Sequence, residues 1–191
     1  MRCRIFRVLM SSTLLWVWVA GTPVPAEEVE GSSPPREALE LWWKGYVLHM
    51  LQRYADAVEL YRQSIELHPT AEAQTYLGWS LSHLGRLEEA IAEAKKAIPL
   101  DPDFGNPYND IGVYLTELGR LEEAVPWLEK ATKAKRYCCY QFPHFNLGRI
   151  QLQFGKIEDA RRSFERALSY DPVYPPALKG LELVKQQGQT L

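Results

Sequence analysis

Cysteine is scarce in this chain. Its 191 residues hold three, too few for a disulfide framework at this length, and none stands in the paired spacing of a zinc or redox site. Positive charge is not in excess: 22 lysines and arginines face 24 acids, a net of −2. Nothing in that balance attracts a phosphate backbone, so nucleic acid is not an expected partner. The apolar run Val8–Ala20 is interrupted by Ser11, Ser12 and Thr13 and falls short of the roughly 20 residues that a membrane-spanning helix requires. There is no nucleophile–base pair, no phosphate-cradling glycine loop and no paired-carboxylate signature. The sequence therefore predicts no catalytic residue, no metal and no cofactor. Thirteen prolines and twelve glycines are ordinary numbers and exclude a fibrous or low-complexity chain. What is present, 46% hydrophobic and 24% charged residues, is the composition of one globular domain.

The first residues have an order of their own. Arg2, Arg4 and Arg7 precede the apolar run, and Val24-Pro25-Ala26 places small residues ahead of Glu27-Glu28. This is the sequence of regions in a secretory signal peptide. It predicts cleavage near Ala26 and export, with the periplasm as the expected compartment. The alternative is an uncleaved N-terminus that stays as a membrane anchor, which Trp16 and Trp18 favour. Thr22 follows Ala20-Gly21 where a lipid-bearing cysteine would stand. Residues 27–36, with Gly31, Ser32, Ser33, Pro34 and Pro35, read as a flexible leader.

Compared with itself, the chain repeats. Leu84-Gly85-Arg86-Leu87-Glu88-Glu89-Ala90 recurs unchanged at Leu118-Gly119-Arg120-Leu121-Glu122-Glu123-Ala124, 34 residues on. Phe154-Gly155-Lys156-Ile157-Glu158-Asp159-Ala160 is a weaker copy 36 further, and Leu51-Gln52-Arg53-Tyr54-Ala55-Asp56-Ala57 lies 33 upstream. Gly45, Gly78, Gly112 and Gly148 mark the same register, as do Pro69, Pro102 and Pro172; Arg136 takes the proline's place in the third unit.

These residues resemble the tetratricopeptide repeat, in which a Leu-Gly pair and an aromatic are followed by Ala-x₃-Phe and a closing proline. Here Gln74-x₂-Leu77-Gly78-x₂-Leu81, Tyr108-x₂-Ile111-Gly112-x₂-Leu115, Ala57-x₃-Tyr61 and Ala160-x₃-Phe164 carry the pattern. Lys44 before the first glycine and Gln151 at the fourth aromatic depart from it. The resemblance implies an all-α solenoid of four helix pairs at 38–70, 71–104, 105–140 and 141–174, with a capping helix at 175–187, in a domain spanning 37–187. Helices are expected near 36–51, 54–68, 71–84, 87–100, 105–118, 121–134, 141–154, 157–170 and 175–185, with Pro126 bending the sixth only slightly.

The same resemblance implies that first helices line a concave groove for a peptide or a partner helix. Columns spaced by four residues place Trp42, Tyr46 and Met50 there in the first unit and Thr75, Trp79 and His83 in the second. Asn109, Val113 and Glu117 follow, then Phe145, Arg149 and Gln153. The expected partner-binding set is Trp42, Tyr46, Trp79, His83, Asn109, Val113, Phe145 and Arg149, with Trp79 exposed in the groove and away from the core. Trp42 and Thr75 stand where a chaperone-type carboxylate clamp has basic or amide groups, so that mode is not expected. The functional expectation is a non-enzymatic scaffold with a protein or peptide partner. Its alternatives are an accessory of pilus or secretion-complex assembly and a self-associating homo-oligomer. Cys138 and Cys139 read as buried thiols, a vicinal disulfide or a cross-link; His49, His68, His83 and His144 are too scattered for a metal.

Overall fold

A computed structural model describes residues 33–188. The signal segment and residues 27–32 of the leader lie outside the described residues. Within them the chain forms nine helices and no ladder of strands: α1 (Arg36–Met50), α2 (Tyr54–Leu67), α3 (Ala71–His83), α4 (Leu87–Leu100), α5 (Gly105–Glu117), α6 (Leu121–Ala131), α7 (Gln141–Gln153), α8 (Ile157–Tyr170) and α9 (Pro175–Gly188).

Local chemistry sets these bounds. Odd helices end where Gly85, Gly119 and Gly155 take φ of 75°, 75° and 69°, the left-handed residue that satisfies a helix's last carbonyls. In the first unit Gln52 does the same at φ 60° and its N–H reaches the His49 carbonyl at 2.9 Å; a side chain there costs about 1 kcal/mol. The first three even helices then open on a basic residue paired with an acid three positions on: Arg53–Asp56, Arg86–Glu89 and Arg120–Glu123. That spacing is the physical content of the repeated Arg-Leu-Glu-Glu. The acids complement the helix dipole, and the pairs, being exposed, add little more.

The sixth helix is shorter than its sequence predicts, ending at Ala131. The chain leaves the helix because Arg136 pairs with the preceding unit: its N–H donates to the Asp103 carbonyl at 2.9 Å and its own carbonyl accepts from Gly105 at 3.0 Å. The Arg136 guanidinium also bridges Asp101 and Glu72 and lies 4.0 Å from the Phe104 ring centroid. It substitutes for the missing proline. Pro126 sits inside α6 without ending it. In the linker that follows, Cys138 is exposed and Cys139 half-buried, so the buried-thiol expectation fails for Cys138. Their Sγ atoms stand 2.8 Å apart, beyond the ~2.05 Å of a disulfide bond.

Every helix packs on the next. Odd helices also approach one another backbone to backbone (α1 with α3, α3 with α5, α5 with α7, α7 with α9), whereas even helices meet only through long side chains, as Lys95 of α4 does over the Trp127 ring of α6 at 5.9 Å. The odd row is therefore the tighter, inner side of the stack. Two cores result. One runs from α2 to α7 through Tyr61, Leu81, Ile111, Leu128 and Ile150; the other joins α8 and α9 through Phe164, Ala167, Ala177 and Val184. The open N-terminal end carries Glu40 and Lys44, both exposed, where inner units bury Ala73 or Pro107 and Leu77 or Ile111. Glu182 is exposed on α9, giving the far end its own polar surface.

Candidate functional site

The inner face is built from α1, α3, α5 and α7, and the structure grades the expected residues along each helix. Thr75 and Asn109 are buried, Trp79 and Val113 half-buried, His83 and Glu117 exposed. In α1, Trp42 and Tyr46 are half-buried and Met50 exposed; in α7, Phe145 is half-buried and Arg149 and Gln153 exposed. The cause is helical geometry. A step of four residues advances about 400°, so each column drifts some 40° per step and starts behind the face it ends on. Asn109 is thus a correction: it lies beneath the face, between neighbouring helices. The set read from sequence also misses Trp43, Tyr76, Asp110 and Asn146, which share one register one residue further along each helix.

At the amino-terminal end these side chains interlock. Trp42 stacks on Tyr46 with centroids 5.8 Å apart, and meets Trp43 edge-on at 5.2 Å and Tyr76 at 5.3 Å. Tyr76 meets Trp79 at 4.8 Å, and His83 stacks on Tyr54 at 4.3 Å. Trp43 nevertheless stays 51% exposed and Met50 61%, so the cluster is rigid inside and open on its surface. The Trp42 Nε1–H is buried and meets no acceptor among the described residues. It borders a hollow of about 300 Å³ lined by Ala38, Leu39, Trp42, His68, Thr70 and Glu72. At the other end Phe145 packs on Phe164 and Tyr174, with the Arg149 guanidinium 5.7 Å above its ring.

Trp79 is the second correction. Its indole is packed against the main core and its Nε1–H donates to Asp110 Oδ2. Asn109 Nδ2 donates to Asp110 Oδ1 at 3.3 Å, and Asn146 Nδ2 to Asn109 Oδ1 at 3.3 Å. Burial pushes the Asp110 carboxyl up to about 7, against the pull of those two donors. His49, whose Nδ1 lies 2.9 Å from Ser80 Oγ, is lowered by burial and then by the charge of His83. These groups form a buried polar spine under the aromatic surface, and it holds indole, amide and carboxylate in fixed positions. Its one signal in the sequence is an acid, Asp110, two residues before Gly112 inside an otherwise apolar packing pattern.

No group of three or more His, Cys, Asp or Glu among the described residues is placed to hold a metal. None of the described helices is long and apolar enough to cross a membrane.

Antiparallel helix pairs in strict succession, with an inner row of first helices, define a solenoid of helical repeats. Three family models, each of the tetratricopeptide repeat, match residues 27–72 and 51–103, 106–138, and 142–172, and the chain belongs to that family. No curated protein matches it. Among solved structures it is similar to PilF of Pseudomonas aeruginosa, at 22% identity and TM-score 0.75, over 81% of this chain and 70% of that one. It is similar to PilW, described as a widely conserved type IV pilus biogenesis factor, at 21% identity and TM-score 0.73, over 80% and 70%. A third is YrrB, a repeat protein with an unusual peptide-binding site, at 18% identity and TM-score 0.63, over 76% and 74%. At such identities the shared property is the fold.

Proposed function

We propose that the inner face of α1 and α3 binds a peptide or a helix of a protein partner, and that the protein acts as a scaffold without catalysing a reaction. The observation that carries this reading is Trp43, 51% exposed at the edge of a braced aromatic cluster, where it packs on Trp42 and Tyr46 alone among the rings. Tryptophan held rigid at a surface loses little entropy on contact, and such residues dominate binding energy. Tyr46, Met50, His83, Val113 and Arg149 extend the surface, and Trp42 and Phe145 support it from beneath. The test is photo-cross-linking in the native envelope from probes at Met50 and Arg149, inner positions, and at Arg62 and Glu129, on even helices. Adducts from the inner pair alone support the reading; adducts from the outer pair alone contradict it.

A role as an accessory of pilus assembly is the second reading, favoured by the likeness to PilW. It agrees with the charge and apolar order of residues 1–26, which argues for export and cleavage after Ala26. The mature chain is then expected to begin at Glu27 by intact mass. A mass that retains residues 1–26 speaks for the anchored alternative.

A further inference from the structure

The fourth unit departs from the others on the side of α7 turned away from the inner face. Gln151 stands two residues after Arg149, about 200° further round the helix. Beside it, the position held by Leu60, Glu93 and Trp127 in the first three units is Ser163 in the fourth. In the third unit Trp127 fills this place and stacks on Tyr108, centroids 6.3 Å apart. In the fourth, the counterpart of Tyr108 is His144, which instead lies nearly parallel to Tyr170 at 5.6 Å. The smaller side chain and the turned ring leave an open cleft of about 340 Å³ between α7 and α8, lined by His144, Gln151, Asp159, Arg162, Ser163 and Arg166.

Its guanidinium groups are particular to this unit, although two earlier units carry a lysine at one of the two positions. Arg162 stands where the earlier units have Glu59, Ala92 and Pro126, and Arg166 where they have Gln63, Lys96 and Lys130. Arg162 pairs with Asp159. Arg166 sits over the Tyr170 ring at 5.1 Å, and no ion pair among the described residues engages it, since neighbouring Glu158 and Glu165 both go to Arg161. Ser163 Oγ donates to Gln151 Oε1 at 2.6 Å, which fixes the amide and leaves its Nε2 hydrogens for another acceptor. Burial, and then the Arg166 charge, hold His144 at about 4, so near neutral pH the ring carries an N–H donor without a positive charge.

We propose that this cleft binds an oxyanion, a phosphate or carboxylate group, with the Arg166 guanidinium as principal donor and Gln151 and His144 as neutral donors beside it. A planar guanidinium with unspent donors matches the paired oxygens of either group. The site is independent of the inner face and gives the repeat stack a second recognition surface.

The experiment is titration of the full chain with inorganic phosphate, and separately with succinate, at constant ionic strength, followed by ¹H–¹⁵N spectra that include arginine Nε–H. Saturable shifts at Arg166 Nε–H and the Ser163 amide are expected. Saturation by phosphate alone assigns a phosphate-bearing ligand, by succinate alone a carboxylate, and by both the shared oxyanion chemistry. Arg166→Gln is expected to weaken binding about tenfold with an unchanged Tm, and Ser163→Trp to abolish it by filling the cleft. Shifts that stay linear with both anions overturn the proposal, and so does equal affinity in Arg166→Gln, a substitution at an exposed position that leaves the core intact.

Discussion

Asp110 is the residue whose environment departs furthest from its type. Carboxylates are rarely buried without a cation, and this one is held by an indole and an amide instead. Free in an unfolded chain it ionises near 3.8, and in the fold near 7. Between those values the native state binds more protons than the unfolded one, so this group's contribution to stability is present below the lower value and falls as pH rises through the upper one. The wild type is therefore expected to lose Tm relative to Asp110→Asn between pH 4 and pH 7. Parallel Tm curves for the two proteins across that range would show that Asp110 ionises as an ordinary surface carboxylate.

The same residue shows where reading the sequence stops. The aromatic richness of α1 and α3 is legible in Trp42, Tyr46 and Trp79, because large side chains at helical spacing in a repeat must line one of its faces. Which of them are open to a partner is not legible there, since it turns on some 40° of helical rotation per four residues and on hydrogen bonds between units. Trp79 is claimed by Asp110, 31 positions away; Trp43, adjacent to a residue assigned to the face, is the indole left open.

At the scale of the element, the helix pair is set by how closely backbones approach. A Cβ added at Gly112 would stand 2.5 Å from Leu128 Cδ2 and Cγ, far inside contact distance, and Leu128 is fully buried in the main core. Gly112→Leu is expected to cost about 1–3 kcal/mol, a fall in Tm of about 2–4 °C per kcal/mol for a domain of this size. Because units hold each other through shared faces, the loss should appear in helices α3 to α7 together. An unchanged Tm would mean that α5 and α6 do not pair through this glycine. Helix bounds were readable because each is punctuated chemically: the Leu-Gly-Arg turns close odd helices, and the Asp-Pro pairs stop α4 and α8. The end of α6 escaped, for it is fixed by the pairing of Arg136 with Asp103 and Gly105, which no local signal announces, and α9 runs three residues beyond the expected 185.

At the scale of the whole molecule, an inner row of helices whose backbones approach and an outer row that meets only through long side chains make one face unlike the rest. Its first half is aromatic and braced; its second is polar, with Asn146, Arg149 and Gln153. Glu40 and Lys44 stand exposed at the end of the stack, and the Trp43 indole is exposed beside them. The central claim is that this face captures a protein partner through Trp43. The most direct measurement compares Trp43→Ala with Leu67→Ala, an exposed apolar residue on the even helix α2, for capture of the inner-face cross-linked partner from solubilised envelope. Loss of a surface hot spot of about 2 kcal/mol or more predicts at least a tenfold fall for Trp43→Ala, with Tm unchanged and Leu67→Ala binding normally. Equal capture by Trp43→Ala and the wild type, both folded, would contradict the account.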